Sequence, residues 1–233
     1  MVGCKHNGTK LIYKFIKLKM MKRINSLIWI FLVPVLLITG CKKETTDDVS
    51  KTVKVTFPGI VLNGPELVIV AQGANYVDAG AKLTDDITGA ISDIQPTSSN
   101  VNTAVPGLYT VTFSASNANG FQTSVSRLVA VAGTTGTVDR TGDYLRTATG
   151  VHCFITKLAN GVYKLENPAG FSGSTDMVVY MVETAPDVYS CPEQPSAGYG
   201  IVSVININFT ATGVSWNVIN PGFGTGARIF IKQ

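Results

Sequence analysis

Residues 107–115 read GLYTVTFSA, a stretch in which apolar and hydroxyl-bearing side chains alternate. Tyr109, Val111 and Phe113 share one face, and the threonines and serine between them occupy the other. Because successive side chains of an extended chain point to opposite faces, this period of two predicts a strand with one buried face and one face in water. The stretch therefore predicts that its domain is built on a β-sheet.

The sequence on either side of this strand repeats the pattern in shorter pieces. Strand candidates lie at residues 60–62, 67–70, 79–83 and 125–131, and turn-forming residues such as Asn63-Gly64 separate them. Beyond residue 41, the chain shows no sustained apolar stripe at helical spacing. Short strands at this spacing predict an all-β protein whose first domain, residues 55–132, is a β-sandwich.

A small-residue linker at 133–137 is followed by a second region rich in strand candidates. Asn160-Gly161, between two apolar runs, is a strong signal for a β-hairpin. In residues 203–209 the alternation places Ile205, Ile207 and Phe209 on one face. Further candidates lie at 142–146, 177–182, 214–219 and 228–231. Residues 138–233 are therefore predicted to form a C-terminal antiparallel β domain, either a second β-sandwich or a small open barrel.

Short motifs occur in a fixed order along the first domain. They are YVDAGA at 76–81, the aspartates at 85–86 with Gly89, VPGLYTV at 105–111, Asn117 with Gly120, and Arg127 followed by VAV at 129–131. This series resembles the immunoglobulin-like domain that is repeated in many secreted and surface proteins of bacteria. The resemblance covers about residues 57–132 and implies an immunoglobulin-like β-sandwich.

Two kinds of residue in this domain are expected to be structural. Tyr109 opens its strand as a tyrosine-corner residue would. Asp78, Asp85 and Asp86 could in principle bind calcium, but adjacent aspartates in a turn more often accept hydrogen bonds from backbone amides. We therefore expect no metal site here.

An apolar run near the start of the chain predicts export. Residues 21–41 read MKRINSLIWIFLVPVLLITGC, with two basic residues, an apolar run at 27–38 and small residues directly before Cys41. This is the order of a secretory signal, and the run falls short of the ~20 residues needed to span a bilayer, which argues against a plain membrane anchor. The ending ITGC resembles the bacterial lipoprotein box, which implies cleavage after Gly40 and lipid on Cys41. Residues 1–40 are expected to be a signal peptide, with residues 1–19 a spurious upstream extension.

The charge of the chain also depends on this segment. Of the 19 basic residues, seven lie in residues 1–40. The rest of the chain therefore has 12 basic and 15 acidic residues. The formal charge of +4 therefore gives no indication of nucleic-acid binding. Residues 41–54 are polar and predict a flexible tether. Their acidic residues Glu44, Asp47 and Asp48 loosely resemble the signal that directs Bacteroidetes lipoproteins to the cell surface.

Three motifs of the second domain carry a further resemblance. GDYLR at 142–146, LANGVYKL at 158–165 and GFSG at 170–173 follow one another. This order resembles the C-terminal domain of Bacteroidetes outer-membrane lipoproteins that pair it with the immunoglobulin-like module. Such proteins are commonly placed near glycan-uptake systems of the starch-utilisation type. The resemblance implies an outer-membrane location, a polysaccharide or oligosaccharide ligand and outer-membrane glycan transporter proteins as partners.

The sequence gives little support for catalysis, cofactors or metals. His152 is the one histidine beyond the signal peptide, so a Ser-His-Asp site has no other candidate base. Cys153 is adjacent to it on a predicted strand, so the two side chains point to opposite faces. The spacing of Cys153, Cys191 and His152 is not that of a zinc site. The two cysteines could form a disulfide outside the cytoplasm or be two unrelated buried thiols, and the sequence favours neither.

Glycan binding needs exposed aromatic faces with amides or carboxylates beside them. Residues 186–199 contain three prolines and are predicted to form a stiff loop that carries such groups. Trp216 is a further candidate, although a lone tryptophan in a β-sandwich is more often core. The candidate ligand-binding residues are Tyr189, Glu193, Gln194, Tyr199, Trp216 and Phe223. The function predicted is non-catalytic glycan binding at the cell surface, and the alternative is a structural spacer or adhesin module that makes protein–protein contacts.

Overall fold

The computed structural model describes residues 55–134 and 138–233. The predicted signal peptide, Cys41, the tether and linker residues 135–137 lie outside the described residues. Within the described ranges, no helix is long and apolar enough to cross a membrane.

The all-β prediction is confirmed by 15 strands that carry nearly all of the regular structure. A single 3-10 turn, Ser172–Ser174, interrupts them within the described ranges. The strands are β1 Gly59–Leu62, β2 Leu67–Ala71, β3 Ala81–Thr84, β4 Ile91–Ile94, β5 Ser98–Ser99, β6 Gly107–Ser116, β7 Gln122–Ala132, β8 Gly142–Arg146, β9 Val151–Ala159, β10 Val162–Glu166, β11 Val178–Ala185, β12 Val188–Ser196, β13 Gly200–Phe209, β14 Gly213–Ile219 and β15 Ala227–Lys232.

The first seven strands form two sheets, in the orders β1-β3-β4 and β2-β7-β6-β5. Strand β6 contains the stretch GLYTVTFSA and pairs along its whole length with β7. Val111 and Phe113 of β6 are buried, as the alternation predicts, and they pack with Ala81 and Val129 in a core between the sheets. These strands form the predicted immunoglobulin-like sandwich.

Tyr109 has the tyrosine-corner geometry, because its hydroxyl donates to the carbonyl of Val105 at 2.9 Å. Burial raises the pKa of Tyr109 above its ordinary value. We expect Tyr109→Phe to lower the free energy of unfolding by about 1 kcal/mol, since one hydrogen bond is lost and the ring is kept. Denaturant unfolding measures this change. Tyr180→Phe is the control, because the Tyr180 hydroxyl bonds to no described residue; equal losses in the two variants would contradict the assignment.

Among the aspartates of this domain, one accepts hydrogen bonds from backbone amides in a turn and another belongs to a buried ion pair. Asp85 accepts hydrogen bonds from the amides of Ile87 and Thr88, both at 2.8 Å, so its turn has the structure expected from the sequence. Asp78 has a partner that the sequence analysis missed, since it pairs with the guanidinium of Arg127 and both side chains are buried.

The last eight strands form a closed barrel in which each strand pairs with the next along the chain. Closure comes from β15, which pairs with β8 in the register Phe230↔Arg146 and Ile231↔Leu145. Of the two forms that the sequence analysis left open, a second β-sandwich and a small open barrel, the domain is a barrel, and it is closed rather than open. A closed barrel of this size is just wide enough for side chains to fill its interior. The filling side chains include Trp216, Phe230, Tyr144, Tyr163, Met181 and Leu165.

The two ends of the barrel are built differently. The mouth, as we define it, consists of loops 147–150, 167–177, 197–199 and 220–226. The opposite end carries short hairpin turns, and residues 138–141 run beside it. There Tyr144 donates to the carbonyl of Arg140 and Tyr163 to that of Val138, each at 2.8 Å.

The sandwich and the barrel share a small apolar cluster. Leu108, Leu128 and Ala130 of the sandwich pack with Val162 and Val182, which lie on the barrel wall. Beside it, the Asn160 side chain donates to the carbonyl of Gly133 at 3.0 Å. The two domains are therefore in direct contact as well as joined by the linker.

The possible disulfide between Cys153 and Cys191 is absent, and both are buried free thiols. Cys153 lies on β9 and Cys191 on β12, with two strands between them. Neighbouring strands are about 4.8 Å apart, whereas the Cα atoms of a disulfide lie within about 7 Å, so the barrel keeps the thiols out of reach. Burial raises the pKa of Cys191 to about 12 and that of Cys153 still further above its ordinary value, so neither forms a reactive thiolate near neutral pH.

Candidate functional site

The structure divides the six predicted ligand-binding residues among four places. Tyr199 and Phe223 lie together at the barrel mouth, and Glu193 lines a groove beside it. Trp216 is buried in the core of the barrel and Gln194 in its wall, and each is 1% exposed. Tyr189 lies at the end of the barrel opposite the mouth, where it contacts Arg140.

Residues 186–199 do not form the predicted loop, because most of them belong to strand β12. The strand bulges between Cys191 and Gln194, where its register with β13 shifts. The Gln194 side chain supplies hydrogen bonds to β11 that the β12 backbone does not make there. It accepts from the Tyr180 amide at 2.7 Å and donates to the Tyr180 carbonyl at 2.9 Å. Gln194 is therefore a structural residue of the barrel wall, and its amide is not available to a ligand.

Trp216 lies in the barrel core, where its ring centroid is 4.8 Å from that of Phe230. Its indole N–H donates to the carbonyl of Pro168 at 2.8 Å. Because Pro168 belongs to the loop at 167–177, this bond ties the loop into the end of the barrel. Trp216 therefore supports the mouth from below and presents no face to a ligand.

Tyr189 is held by Arg140, whose Nε donates to the Tyr189 hydroxyl at 2.9 Å. The same guanidinium lies 4.6 Å from the centroid of Phe209 and forms an ion pair with Asp187. Tyr189 also packs against Phe209 with centroids 4.9 Å apart. The ring is thus engaged in closing the end of the barrel opposite the mouth.

Three aromatic rings from three different loops meet at the mouth. The Phe223 centroid lies 5.9 Å from that of Phe171 and 6.1 Å from that of Tyr199. Phe171 is 36% exposed, and the other two rings are partly buried. The Tyr199 hydroxyl bonds to the Gly173 carbonyl at 3.0 Å and to Asp176, and the bond to Asp176 raises the pKa of Tyr199 above its ordinary value. We call Phe171, Tyr199 and Phe223 the aromatic cluster.

Asn167 positions the loop that carries Phe171. It has the left-handed backbone conformation, with φ of 58°, which asparagine tolerates better than most residues. Its buried side chain accepts from the hydroxyl of Ser174 at 2.6 Å and the amide of Gly170 at 3.1 Å, and it donates to the carbonyl of His152 at 3.0 Å. These bonds fix the loop across the end of the barrel.

Two buried arginines lie directly beneath the aromatic cluster. Arg146, on β8, is 8% exposed, and Arg228, on β15, is 4% exposed. Both guanidinium groups lie over the Phe171 ring, with Cζ atoms 4.4 Å and 5.5 Å from its centroid. Burial and the neighbouring charge of Arg228 lower the pKa of Arg146 below its ordinary value. Neither arginine forms an ion pair with any residue that the structure describes.

The sequence analysis missed both arginines and Phe171, although a signal for the arginines exists. In GDYLR, Arg146 is two residues from Tyr144 and so shares its inward face, and Arg228 is related to Phe230 in the same way. A charged residue on the apolar face of a strand is unusual and needs a partner. That mismatch is the feature that points to the mouth.

A groove of about 520 Å³ runs beside the mouth. It is lined by Glu193, Ile201, Ile219 and residues Asn220, Pro221 and Thr225 of the β14–β15 loop. Its volume lies within the range of about 300–1,000 Å³ that is usual for small-molecule sites. The groove and the aromatic cluster share the loop at 220–226, so one extended ligand could contact both.

His152 and Cys153 point to opposite faces of β9, as their adjacency predicts. Cys153 is buried in the barrel, whereas His152 is exposed, with its Nδ1 2.6 Å from a carboxylate oxygen of Asp143. The described residues contain no group of three or more histidine, cysteine, aspartate or glutamate side chains that could hold a metal ion. The side chains that the structure does bring together at the mouth are aromatic rings and two arginines.

Comparison with known proteins gives a family match and similarities to solved structures. Residues 60–131 match the family model described as "Bacterial surface protein, Ig-like domain", which covers less than half of the 233-residue chain. No curated protein matches. The crystal structure of a lipoprotein from Bacteroides thetaiotaomicron is similar at 24% identity, over 76% of this chain and 100% of that one, with a TM-score of 0.35. A TM-score this low does not establish a shared arrangement of the two chains. Over residues 60–131, the chain is thus similar to the immunoglobulin-like domain of bacterial surface proteins.

Proposed function

We propose that this protein is a non-catalytic, glycan-binding lipoprotein of the outer membrane, anchored through lipid on Cys41 and exposed at the cell surface. The aromatic cluster of Phe171, Tyr199 and Phe223 is the observation that carries the proposal. Aromatic faces stack on the apolar faces of sugar rings, and neighbouring polar groups bind the hydroxyls. The match of residues 60–131 to a bacterial surface domain supports the location.

The rigidity of the barrel mouth suits this function. The Trp216–Pro168 and Asn167–His152 hydrogen bonds tie the Phe171 loop to the barrel, and the Tyr199 hydroxyl bonds to Gly173 of that loop. A site that is held in place before the ligand arrives loses less conformational entropy on binding. In this proposal the immunoglobulin-like sandwich holds the barrel away from the membrane, and an outer-membrane glycan transporter receives the bound polysaccharide or oligosaccharide.

Affinity gel electrophoresis of the full chain in gels containing single polysaccharides tests the proposal. Each ring contributes about 0.5–1.5 kcal/mol, so we expect Tyr199→Ala and Phe223→Ala each to weaken retention by roughly 3- to 10-fold. Both rings are partly buried against the barrel core, so each variant is expected to lose about 1–2 kcal/mol of stability and to remain folded, which circular dichroism checks. The matched control is Phe57→Ala, which removes an exposed ring of the sandwich. Glycan binding at the mouth would be contradicted if no gel retained the wild-type chain. It would also be contradicted if retention fell equally in Tyr199→Ala, Phe223→Ala and Phe57→Ala.

The alternative is a structural spacer or adhesin module that makes protein–protein contacts. The family match favours it, because that match covers the sandwich and not the barrel. In this alternative, no glycan slows the chain in the gel, and the chain binds a surface protein whether or not the aromatic cluster is intact.

A further inference from the structure

We infer that Arg146 and Arg228 form an anion-binding site, and that the glycan bound at the mouth is acidic, with a carboxylate as the group recognised. This inference rests on the proposed function and names the substrate class of the same site. It is carried by two buried cations that lie side by side, with no acidic partner among the described residues.

The hydrogen bonds of the two guanidinium groups leave donors unused. Arg146 Nη1 donates to the carbonyls of Ala169 and Gly170, at 3.1 Å and 3.4 Å. Arg228 donates through Nη2 to the carbonyl of Gly224, at 2.6 Å, and through Nη1 to that of Gly226. The Nε atom of each arginine is buried and has no hydrogen-bond partner. An unsatisfied buried donor on a charged group is costly, and an oxyanion that approaches the two guanidinium groups would offset part of that cost.

The Phe171 ring already contacts both arginines. Their Cζ atoms lie over the π face of the ring, 4.4 Å and 5.5 Å from its centroid, so the ring holds the two cations together beneath the mouth. The N–H donors of a guanidinium point outward within its plane, in a fork that matches a carboxylate. An anion at those edges and the Phe171 ring can therefore be bound at the same time.

The chain next to Arg228 allows close approach. The loop at 220–226 has glycine at positions 222, 224 and 226, and a Cβ added at Gly224 would meet no atom within 4 Å. Loop backbone without side chains permits a ligand to come near the groups beneath it. The aromatic cluster borders the same loop, so a sugar ring on Phe223 can direct its acidic substituent towards Arg228.

A glycan fits the site better than a fatty acid. The barrel interior beneath the arginines is filled by Trp216 and Phe230, each 1% exposed, so an acyl chain would have to displace the core. The surface above offers flat aromatic rings instead. A sulfate ester on a sugar would meet the same donors as a carboxylate, and these two sources are separated by experiment.

The test compares matched ligands by isothermal titration calorimetry on the full chain. Oligogalacturonate and its methyl ester share the same sugar chain and differ in the charge and a methyl group at each carboxyl, and sulfated and unsulfated galactan make the corresponding pair for sulfate. We expect oligogalacturonate to bind at least about 10-fold more tightly than its ester, with the difference decreasing as salt is added. A larger preference within the galactan pair would assign the site to sulfate and overturn the carboxylate. Equal affinities within both pairs would overturn the anion site and leave glycan binding intact.

Two variants assign the effect to the arginines. We expect Arg146→Gln and Arg228→Gln each to weaken oligogalacturonate binding by roughly 10- to 100-fold while the methyl ester binds as before. Each substitution relieves the repulsion between two neighbouring positive charges but also removes hydrogen bonds to loop carbonyls, so the ratio of acid to ester affinity, and not the melting temperature, is the readout. A lower melting temperature with unchanged preference for the acid would show that the arginines only hold the loops. If no glycan binds, the same titration is made with glucuronate and palmitate. Binding of either one that depends on the arginines would support the anion site but not glycan binding. Binding of neither would contradict both the anion site and the proposed function.

Discussion

Replacing Trp216 by alanine is expected to lower the free energy of unfolding by about 3–5 kcal/mol, as for other large buried rings. Trp216 is among the largest fully buried side chains and packs against Phe230 at 4.8 Å. The substitution leaves a cavity in the barrel and also removes the donor to the Pro168 carbonyl. Denaturant unfolding followed by far-ultraviolet circular dichroism measures the loss.

The control for this prediction is Trp216→Phe, which keeps an aromatic ring but removes the indole N–H. We expect it to cost clearly less than the alanine variant, and its remaining effect reports the bond to Pro168. Any loss of glycan binding in Trp216→Ala should follow the loss of folding, because the ring has no free face. An alanine variant that unfolds like the wild type would show that Trp216 is not core.

The second large effect is expected in the sandwich, where Asp78→Asn should lower the free energy of unfolding by about 3–5 kcal/mol. Asp78 and Arg127 are both buried, and removal of the carboxylate leaves the arginine charge without its partner. Arg127 also donates to the carbonyls of Pro65 and Asn63, at 3.1 Å and 2.6 Å, so the pair links β7 to the loops before and after β2. Asp93→Asn is the matched control, since its pair with Lys82 is exposed and should contribute less than about 1 kcal/mol.

The Asp78 pair also predicts how stability depends on pH. Burial opposes ionisation of Asp78, but hydrogen bonds from Tyr76, Arg127 and the Gly80 amide outweigh it and hold the pKa below its ordinary value. The stabilisation is therefore complete above the unfolded pKa of about 3.9 and is lost as the pH falls through the lower folded pKa. Burial and the bond to Asp78 raise the pKa of Tyr76 to about 12, so its contribution is lost in the opposite direction, above about pH 10. Urea unfolding from pH 2 to 7 should show a smaller acid-dependent loss in Asp78→Asn than in the wild type; identical slopes would contradict the assignment.

Local alternation in the sequence was sufficient to predict most strands, and long-range pairing was not. The buried face of β6 follows directly from residues 107–115, because Val111 and Phe113 alternate with polar residues. Barrel closure depends on β15 meeting β8, and these strands lie at the two ends of the domain. No local pattern encodes that pairing, so the sequence left sandwich and barrel open.

Bulges account for the errors within strands. Pro192 and Pro195 made residues 186–199 resemble a loop. Both prolines nevertheless lie in β12, next to the bulge where the Gln194 side chain supplies hydrogen bonds to the neighbouring strand. In β13 the predicted apolar face of Ile205, Ile207 and Phe209 is broken, because Asn206 has a φ of 55° and the register shifts beyond Ile205. Ile205 is exposed, whereas Ile207 and Phe209 pack on the core.

The candidate site was predicted only in part. Tyr199 and Phe223 were identified because aromatic residues near turns indicate binding surfaces, and the structure brings them together. Phe171 and the two arginines were missed because their significance lies in contacts between strands and loops that are distant in sequence. Alternation places both arginines on inward faces, but the structure is needed to show that they stay buried there without an acidic partner.

A crystal structure of the full chain with the oligosaccharide that it binds most tightly tests the central claim most directly. The proposal predicts a sugar ring against Phe223 and Tyr199, with an acidic group at the guanidinium edges of Arg146 and Arg228. A sugar bound instead beside Tyr189, at the other end of the barrel, or on the sandwich would contradict glycan recognition at the barrel mouth.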